Sequence, residues 1–337
     1  MTEAKGRMQE FEALRAFATL LLLALHSEAF ALDNALGVDL NPFALFVGAF
    51  LLGSFFFMAG YFEETSLKKY NDNWLAFIKT KFIRIYPPYW IALMLFIFVM
   101  GYSLKKPLDQ WAYALNLQFI FSPAYVKQIL TLWFISVLVA YYAIFITLRQ
   151  FIKSEWLFLG ALSVLFLILY LVHLKINLFD VRFFEYFFIF FLGGWLARNP
   201  GWMQKLYQFP FYLKWIFWFV GCYFLWVAQA KAYPYQSPIF LVTVNIYIIG
   251  GIAVFLAIFR ARVGAWKLWS FISYASFFVY LYHRPIWDIA LKLFPQETWR
   301  GEMLFRLMPG SIASILLCYA FQKLYDFIVT LVRKRYS

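Results

Sequence analysis

This sequence is short of charge. Only 14% of its 337 residues are Asp, Glu, Lys or Arg, against roughly 25% in a soluble domain. With 64% hydrophobic residues, it has too little polar surface to cover a soluble core, which excludes two ordinary soluble domains. Cysteine is scarcer still. Cys222 and Cys318 both lie inside apolar runs with no Cys-x-x-Cys spacing, so they form no metal site and say nothing about redox compartment. The three histidines, His26, His173 and His283, are too few for a haem or polynuclear metal protein. Alternation of apolar and polar residues is also missing from the apolar runs, which argues against an outer-membrane barrel.

What the chain has is apolar length, enough for about ten spans of ~20 residues each. Reading apolar runs against polar breaks predicts helices at Phe11–Leu32, Pro42–Phe62, Ile85–Leu104, Ile129–Leu148 and Trp156–His173. The second half adds Arg182–Ala197, Phe211–Ala230, Pro238–Phe259, Ser270–Phe294 and Met303–Leu331. The last is long enough to tilt or to project from the bilayer. Trp111–Ser122 is apolar but too short to span, and Pro123 closes it. It reads as an interfacial or re-entrant helix on the outer side. The whole chain, 1–337, reads as one all-α integral membrane domain of about ten transmembrane helices, with short tails over 1–10 and 332–337.

The net charge of +13 sits in short Lys/Arg clusters between apolar runs, the pattern of cytoplasmic loops rather than of a nucleic-acid surface. With the N-terminus inside, the inner segments, together with Lys214 at the inner end of its span, carry 18 Lys/Arg, Lys68, Lys69, Arg198 and Lys267 among them. Outer segments carry only Lys105, Lys106, Lys127, Lys175, Lys231 and Arg300. One span more or fewer would scramble that asymmetry, so both termini are expected in the cytoplasm. The basic start, the apolar run Ala16–Leu25 and Ala29-Phe30-Ala31 imitate a signal peptide. Cleavage there would leave nine spans and put the basic clusters on the wrong face, so the segment is expected to remain as the first span.

Ionisable groups inside spans are costly in hydrocarbon and are functional candidates by default. Arg15 and His26 lie eleven residues apart on the first span, which places them on one helix face, roughly 16 Å apart along the axis. A snorkelling arginine and an interhelical histidine would be the ordinary account of that pair. In the ninth span, Ser276, Tyr280, His283, Arg284 and Trp287 form one polar stripe, with Pro285 loosening the helix beside them. His283 lies thirteen residues, and His26 fifteen, above the cytoplasmic start of its span. Two of three histidines at nearly one depth point to a shared buried site. A third cluster, Lys79, Lys81 and Arg84, precedes Ile85-Tyr86-Pro87-Pro88-Tyr89-Trp90. A positive-inside flank explains Lys79, while an arginine set against aromatics and prolines suggests an anion site facing the cytoplasm.

Five segments, in order, are similar to the motifs of acyltransferase family 3. Glu12-Ala13-Leu14-Arg15 followed after ten residues by His26 resembles its opening Arg-x10-His signature. Gly53-Ser54-Phe55-Phe56-Phe57-Met58-Ala59-Gly60-Tyr61 resembles its phenylalanine-rich Ser-Gly-Phe segment. Lys81-Phe82-Ile83-Arg84-Ile85-Tyr86-Pro87 is similar to Arg-x-x-Arg-aliphatic-Tyr-Pro, and Leu132-Trp133-Phe134-Ile135 to Leu-Trp-Phe-Leu. Ser276 through Pro285 is similar to its closing Ser-x-x-x-Tyr-x-x-His-x-Pro. The chain departs from the family at Lys81, where a lysine loses bidentate phosphate recognition, and at Ala59, which lacks the serine hydroxyl. No acid follows Ile135, where one large branch carries Glu.

The resemblance implies a multi-pass protein of a prokaryotic cytoplasmic (inner) membrane that moves an acyl group from acyl-CoA to the hydroxyl of an extracytoplasmic carbohydrate or glycolipid acceptor. The donor, most often acetyl-CoA in that family, is a co-substrate, and no permanently bound cofactor or metal is expected. Arg15, Lys81 and Arg84 would hold its phosphates. His26 would serve as general base or transient acyl carrier, with His283 and Tyr280 orienting it or stabilising the oxyanion. Glu28, Glu185 and Asp288 would meet the acceptor from the outer half. A transporter or flippase for a lipid-linked sugar is the rival reading, since ten helices with intramembrane charges suit it equally. Paired repeats with broken helices at matching positions, common in transporters, are not visible. A membrane scaffold would leave the matched histidine depths a coincidence.

Overall fold

The structure, a computed structural model, describes residues 8–31, 41–70 and 73–336. The tail over 1–7, the expected span end at Leu32 and the side chains of Arg333, Lys334 and Arg335 lie outside the described residues. All regular structure among the described residues is helical, as lipid demands of a chain that must satisfy its own backbone polar groups. In order the helices are α1 (Gln9–His26), α2 (Asn41–Lys69), α3 (Trp74–Phe98), α4 (Pro107–Ala114), α5 (Gln118–Phe121), α6 (Leu132–Phe151) and α7 (Glu155–Ile176). Then come α8 (Val181–Arg198), α9 (Pro200–Gln208), α10 (Phe211–Ala230), α11 (Pro238–Phe259), α12 (Lys267–Leu293), α13 (Trp299–Phe305) and α14 (Ser311–Tyr336). A π-helical turn, Arg306–Gly310, joins the last two.

Seven of these stretches are long and apolar enough to cross a membrane: Phe43–Lys69, α3, α6, α7, α10, α11 and the continuous Trp299–Val332. Helices occupy the other three expected spans, but α1, α8 and α12 fall short of that apolarity. The reason is visible in their sequences. Each carries charged residues along its length: Glu10, Glu12 and Arg15; Arg182, Glu185 and Arg198; Lys267, Arg284, Asp288 and Lys292. They are the helices on which the candidate histidines and two of the candidate acids sit.

Several boundaries differ from the sequence reading, among them the end of α1, at His26 rather than Leu32, and that of α2, at Lys69 rather than Phe62. Helix α3 begins at Trp74, eleven residues before Ile85, and runs through Pro87 and Pro88. Those prolines lack the N–H groups that would bond the carbonyls of Ile83 and Arg84, yet the helix continues across them, placing Lys81 and Arg84 inside it. The expected helix over Trp111–Ser122 is two short ones, α4 and α5, separated by Asn116 at φ 58°, a conformation that asparagine tolerates better than most residues. Helix α9, between two expected spans, was not anticipated.

The residues group into two compact units, one of Met1–Leu51, Met94–Met100 and Val254–Ser337, the other of Leu52–Leu93 and Gly101–Ala253. In the first, α12 packs along both α1 and α14, and Phe17 of α1 stacks on Phe255 at 4.9 Å. In the second, α2 and α8 cross with their backbones in contact. A Cβ on Gly60 would overlap the Phe190 carbonyl, and one on Gly193 the Phe57 carbonyl. The phenylalanine-rich segment therefore owes Gly60 to packing. Around that crossing Phe56 meets Phe134 at 4.5 Å and Tyr186 at 5.1 Å, contacts that stabilise beyond the area they bury.

Candidate active site

Four residues of the α12 stripe, Ser276, Tyr280, His283 and Trp287, recur at helical spacing, and all four are buried. They face the packed interior of the first unit, where α12 lies along α1. At the start of the two helices the Ser270 hydroxyl donates to Glu12 at 2.5 Å, which fixes their register. At the other end His26 closes α1, and its Nδ1 stands 2.8 Å from Nε2 of His283. The rings are parallel within 8°, with centroids 5.0 Å apart. A centroid separation that large beside so short an N–N distance arises when two imidazoles meet end to end, the best alignment for a hydrogen bond.

The partners of His283 settle which nitrogen carries which proton. Its Nδ1 lies 2.7 Å from the Val279 carbonyl one turn earlier, and a carbonyl can only accept. His283 Nδ1 is therefore the donor, and in the neutral ring Nε2 is the acceptor. His26 must then donate from Nδ1, which leaves its Nε2 lone pair free for chemistry. Trp287 sets its ring edge to face against His283 at 5.0 Å and 82°. Arg284, the fifth residue of the stripe, follows His283 on α12. Tyr280 is buried on the same helix three residues before His283.

Arg15 lies on uninterrupted α1 with His26, so the expected rise of roughly 16 Å between them holds. It belongs to the first unit, whereas Lys81 and Arg84 belong to the second. Arg84 is exposed. Lys81 is engaged: its ammonium pairs with the fully buried carboxylate of Glu63 and lies 4.6 Å from the Tyr142 ring centre. Of the acids expected to face an acceptor, Glu28 accepts from Arg306 at 3.2 Å and from the Trp299 indole at 3.0 Å. Asp288 pairs with Lys292 at 2.6 Å. Glu185 is buried on α8, in the second unit. His173, the third histidine, bonds the Leu178 and Phe179 carbonyls at 2.8 and 3.0 Å and takes no part in the pair.

A charge network in the second unit escaped the sequence reading. Glu64 of α2 lies 3.7 Å from Arg149 Nε and 3.6 Å from Arg198 Nη1. Arg149 is buried, stacks 3.6 Å over Phe158 and grips Glu155 with both terminal nitrogens at 3.0 and 3.2 Å. Adjacent glutamates closing an apolar run were the available signal, because acids there need buried cations.

A family model described as an acyltransferase domain, that of acyltransferase family 3, matches residues 8–323, nearly the whole chain. No curated protein and no solved structure matches it. Among the described residues no group of His, Cys, Asp and Glu is placed to hold a metal ion. The match begins at the first turn of α1, takes in His26 and His283 and ends within α14, so the chain belongs to acyltransferase family 3 and is a membrane acyltransferase.

Proposed function

We propose that the protein is an O-acyltransferase that moves an acyl group, acetyl in the simplest case, from cytoplasmic acyl-CoA to a hydroxyl of an extracytoplasmic polysaccharide or glycolipid. The observation that carries this reading is the His26–His283 hydrogen bond, oriented so that the free Nε2 lone pair belongs to His26. As general base, that nitrogen takes the proton of the acceptor hydroxyl while the oxygen attacks the thioester carbonyl. The His26 imidazolium that forms keeps its Nδ1–H bond to His283, a bond that strengthens as charge develops. Collapse of the tetrahedral intermediate breaks the C–S bond, and the proton leaves with the CoA thiolate as a thiol. The alternative assignment, His26 as transient acyl carrier, uses the same lone pair as nucleophile.

In this reading Arg15 holds the donor phosphates from the cytoplasmic side, and the extended pantetheine arm covers the length of α1 to His26; Arg84, in the other unit, is a separate candidate for phosphate contact, carried by its motif. Lys81 contributes less than the family pattern suggests, because Glu63 already neutralises it. The test is to give membranes acyl-CoA carrying a labelled acyl group and identify what acquires the label. Label in an extracytoplasmic glycan or glycolipid supports the reading. Flux of a lipid-linked sugar with no label transferred would establish the transporter instead.

A further inference from the structure

Two backbone irregularities of the first unit flank the histidine pair, and one five-residue turn holds both. The first is Glu28, a residue with a side chain at φ 69°, two positions beyond His26. That left-handed conformation is uncommon outside glycine and persists where surroundings over-determine it. Here its carboxylate is held at both oxygens: Arg306 Nη1 donates to one at 3.2 Å and the Trp299 indole to the other at 3.0 Å. Arg306 is itself fixed by its second nitrogen, which donates to Glu302 at 2.8 Å.

The second irregularity starts at that same arginine. Arg306–Gly310 is a single π-helical turn inserted between α13 and α14, a feature that is rare and concentrates at functional sites. Gly310 closes it. A Cβ at that position would stand 2.9 Å from the Phe305 carbonyl, 3.0 Å from Cδ1 of Trp287 and 3.1 Å from its Nε1. Glycine is what leaves room for the indole. Trp287 then lays its ring against His283, and its buried N–H has no hydrogen-bond partner among the described residues, so packing seats it.

We propose that the π-turn Arg306–Gly310 is the brace that sets the His26–His283 hydrogen bond. Arg306 fixes the end of α1 through Glu28, and Gly310 seats Trp287 against His283. Both are positioning residues, since neither touches the reacting atoms. The proposal rests on the reading of the histidine pair as the acyl-transfer site. A merely structural tie between α1 and the last helix would change how much protein folds, not the turnover of each folded molecule. A brace changes turnover, because displacing a reacting group by about 1 Å costs roughly a hundredfold in rate.

The full-length protein is purified as Arg306→Met, Arg306→Lys, Glu28→Gln and Gly310→Ala. Folded protein is quantified by gel filtration and melting, and kcat, KM for acyl-CoA and the pH dependence of kcat are measured per folded molecule. Arg306→Met and Gly310→Ala are each expected to lower kcat at least tenfold with KM for acyl-CoA within twofold. Their pH profile is expected to move, because proton transfer to His26 depends on its bond to His283. Arg306→Lys keeps a cation for Glu28 and is expected to recover part of the loss. Turnover within twofold of wild type in both Arg306→Met and Glu28→Gln overturns the brace, whether or not Gly310→Ala folds. His26→Ala distinguishes the two levels. If it is dead while Arg306→Met is normal, only the brace fails; if it still transfers acyl groups, the site itself has been misplaced.

Discussion

Replacing His283 by leucine leaves a side chain of similar reach on α12 and deletes the acceptor for His26 Nδ1–H. In the wild-type protein that bond is 2.8 Å long and backed by a second one, from His283 Nδ1 to the Val279 carbonyl at 2.7 Å. Two things are lost together. The bond fixes which nitrogen of His26 holds the proton, and in the proposed mechanism it stabilises the imidazolium that forms during attack. A hydrogen bond to a charged group is worth about 1.5–3 kcal/mol, which in a transition state corresponds to roughly ten- to hundredfold in kcat. His283→Gln offers a discriminating comparison, because an amide can accept from His26 through oxygen while donating to Val279 through nitrogen. Its rate is expected between those of wild type and His283→Leu. The assay is transfer of labelled acyl groups from acyl-CoA by purified protein in detergent, with acyl-CoA affinity measured alongside and expected unchanged. Wild-type turnover in His283→Leu, or glutamine no better than leucine, would refute the relay.

Arg84→Ala should weaken acyl-CoA binding roughly ten- to hundredfold, the value of one charge-assisted contact. Lys81→Ala should weaken it less, since Glu63 already holds that ammonium; calorimetry with acyl-CoA checks both, and an unchanged affinity in Arg84→Ala would make the cluster a topology signal. Gly193→Ala should lower the melting temperature, because its Cβ meets the Phe57 carbonyl across the α2–α8 crossing and overpacking typically costs about 1–3 kcal/mol. Gly201→Ala, with nothing within 4 Å of the added carbon, is the control and should melt at or slightly above wild type. Single cysteines near Lys69, Arg198 and Lys267 should be shielded from an impermeant thiol reagent in intact cells, whereas those near Tyr233 and Glu297 should react; labelling of the first set would contradict cytoplasmic termini.

The histidine pair was legible in the sequence because its two signals are local. Each histidine's depth is counted along its own helix, and the α12 stripe repeats at helical spacing that a buried helix face must show. The long helices were legible for the same reason, though not the short ones, α4, α5 and α9, nor the start of α3. There Pro87-Pro88 reads as a beginning, since prolines favour first turns and disfavour interiors, and only the folded chain shows the helix continuing through them. The π-turn at 306–310 left no trace, because a single wide turn does not break an apolar run. Arg306, its first residue, looked like one more charge on a long helix, and its partner Glu28 lies far away in sequence. The Glu64–Arg149–Arg198 network was hidden in the same way. Arg149 and Arg198 count as cytoplasmic flanks by position, while only tertiary structure brings them to Glu64.

The most direct measurement of the central claim is acyl transfer by His26→Ala protein that inserts and folds normally. The free Nε2 lone pair of His26 is the group on which the mechanism turns, and general base catalysis alone contributes roughly 10²–10⁴-fold. Transfer of the labelled acyl group should be lost in His26→Ala and equally in His26→Gln, whose amide can hydrogen-bond but cannot take the proton. Acyl-CoA should still bind, because in the proposed reading its phosphates sit near Arg15, roughly 16 Å along α1 from His26. Transfer at near wild-type rate by the His26→Ala protein would contradict the account.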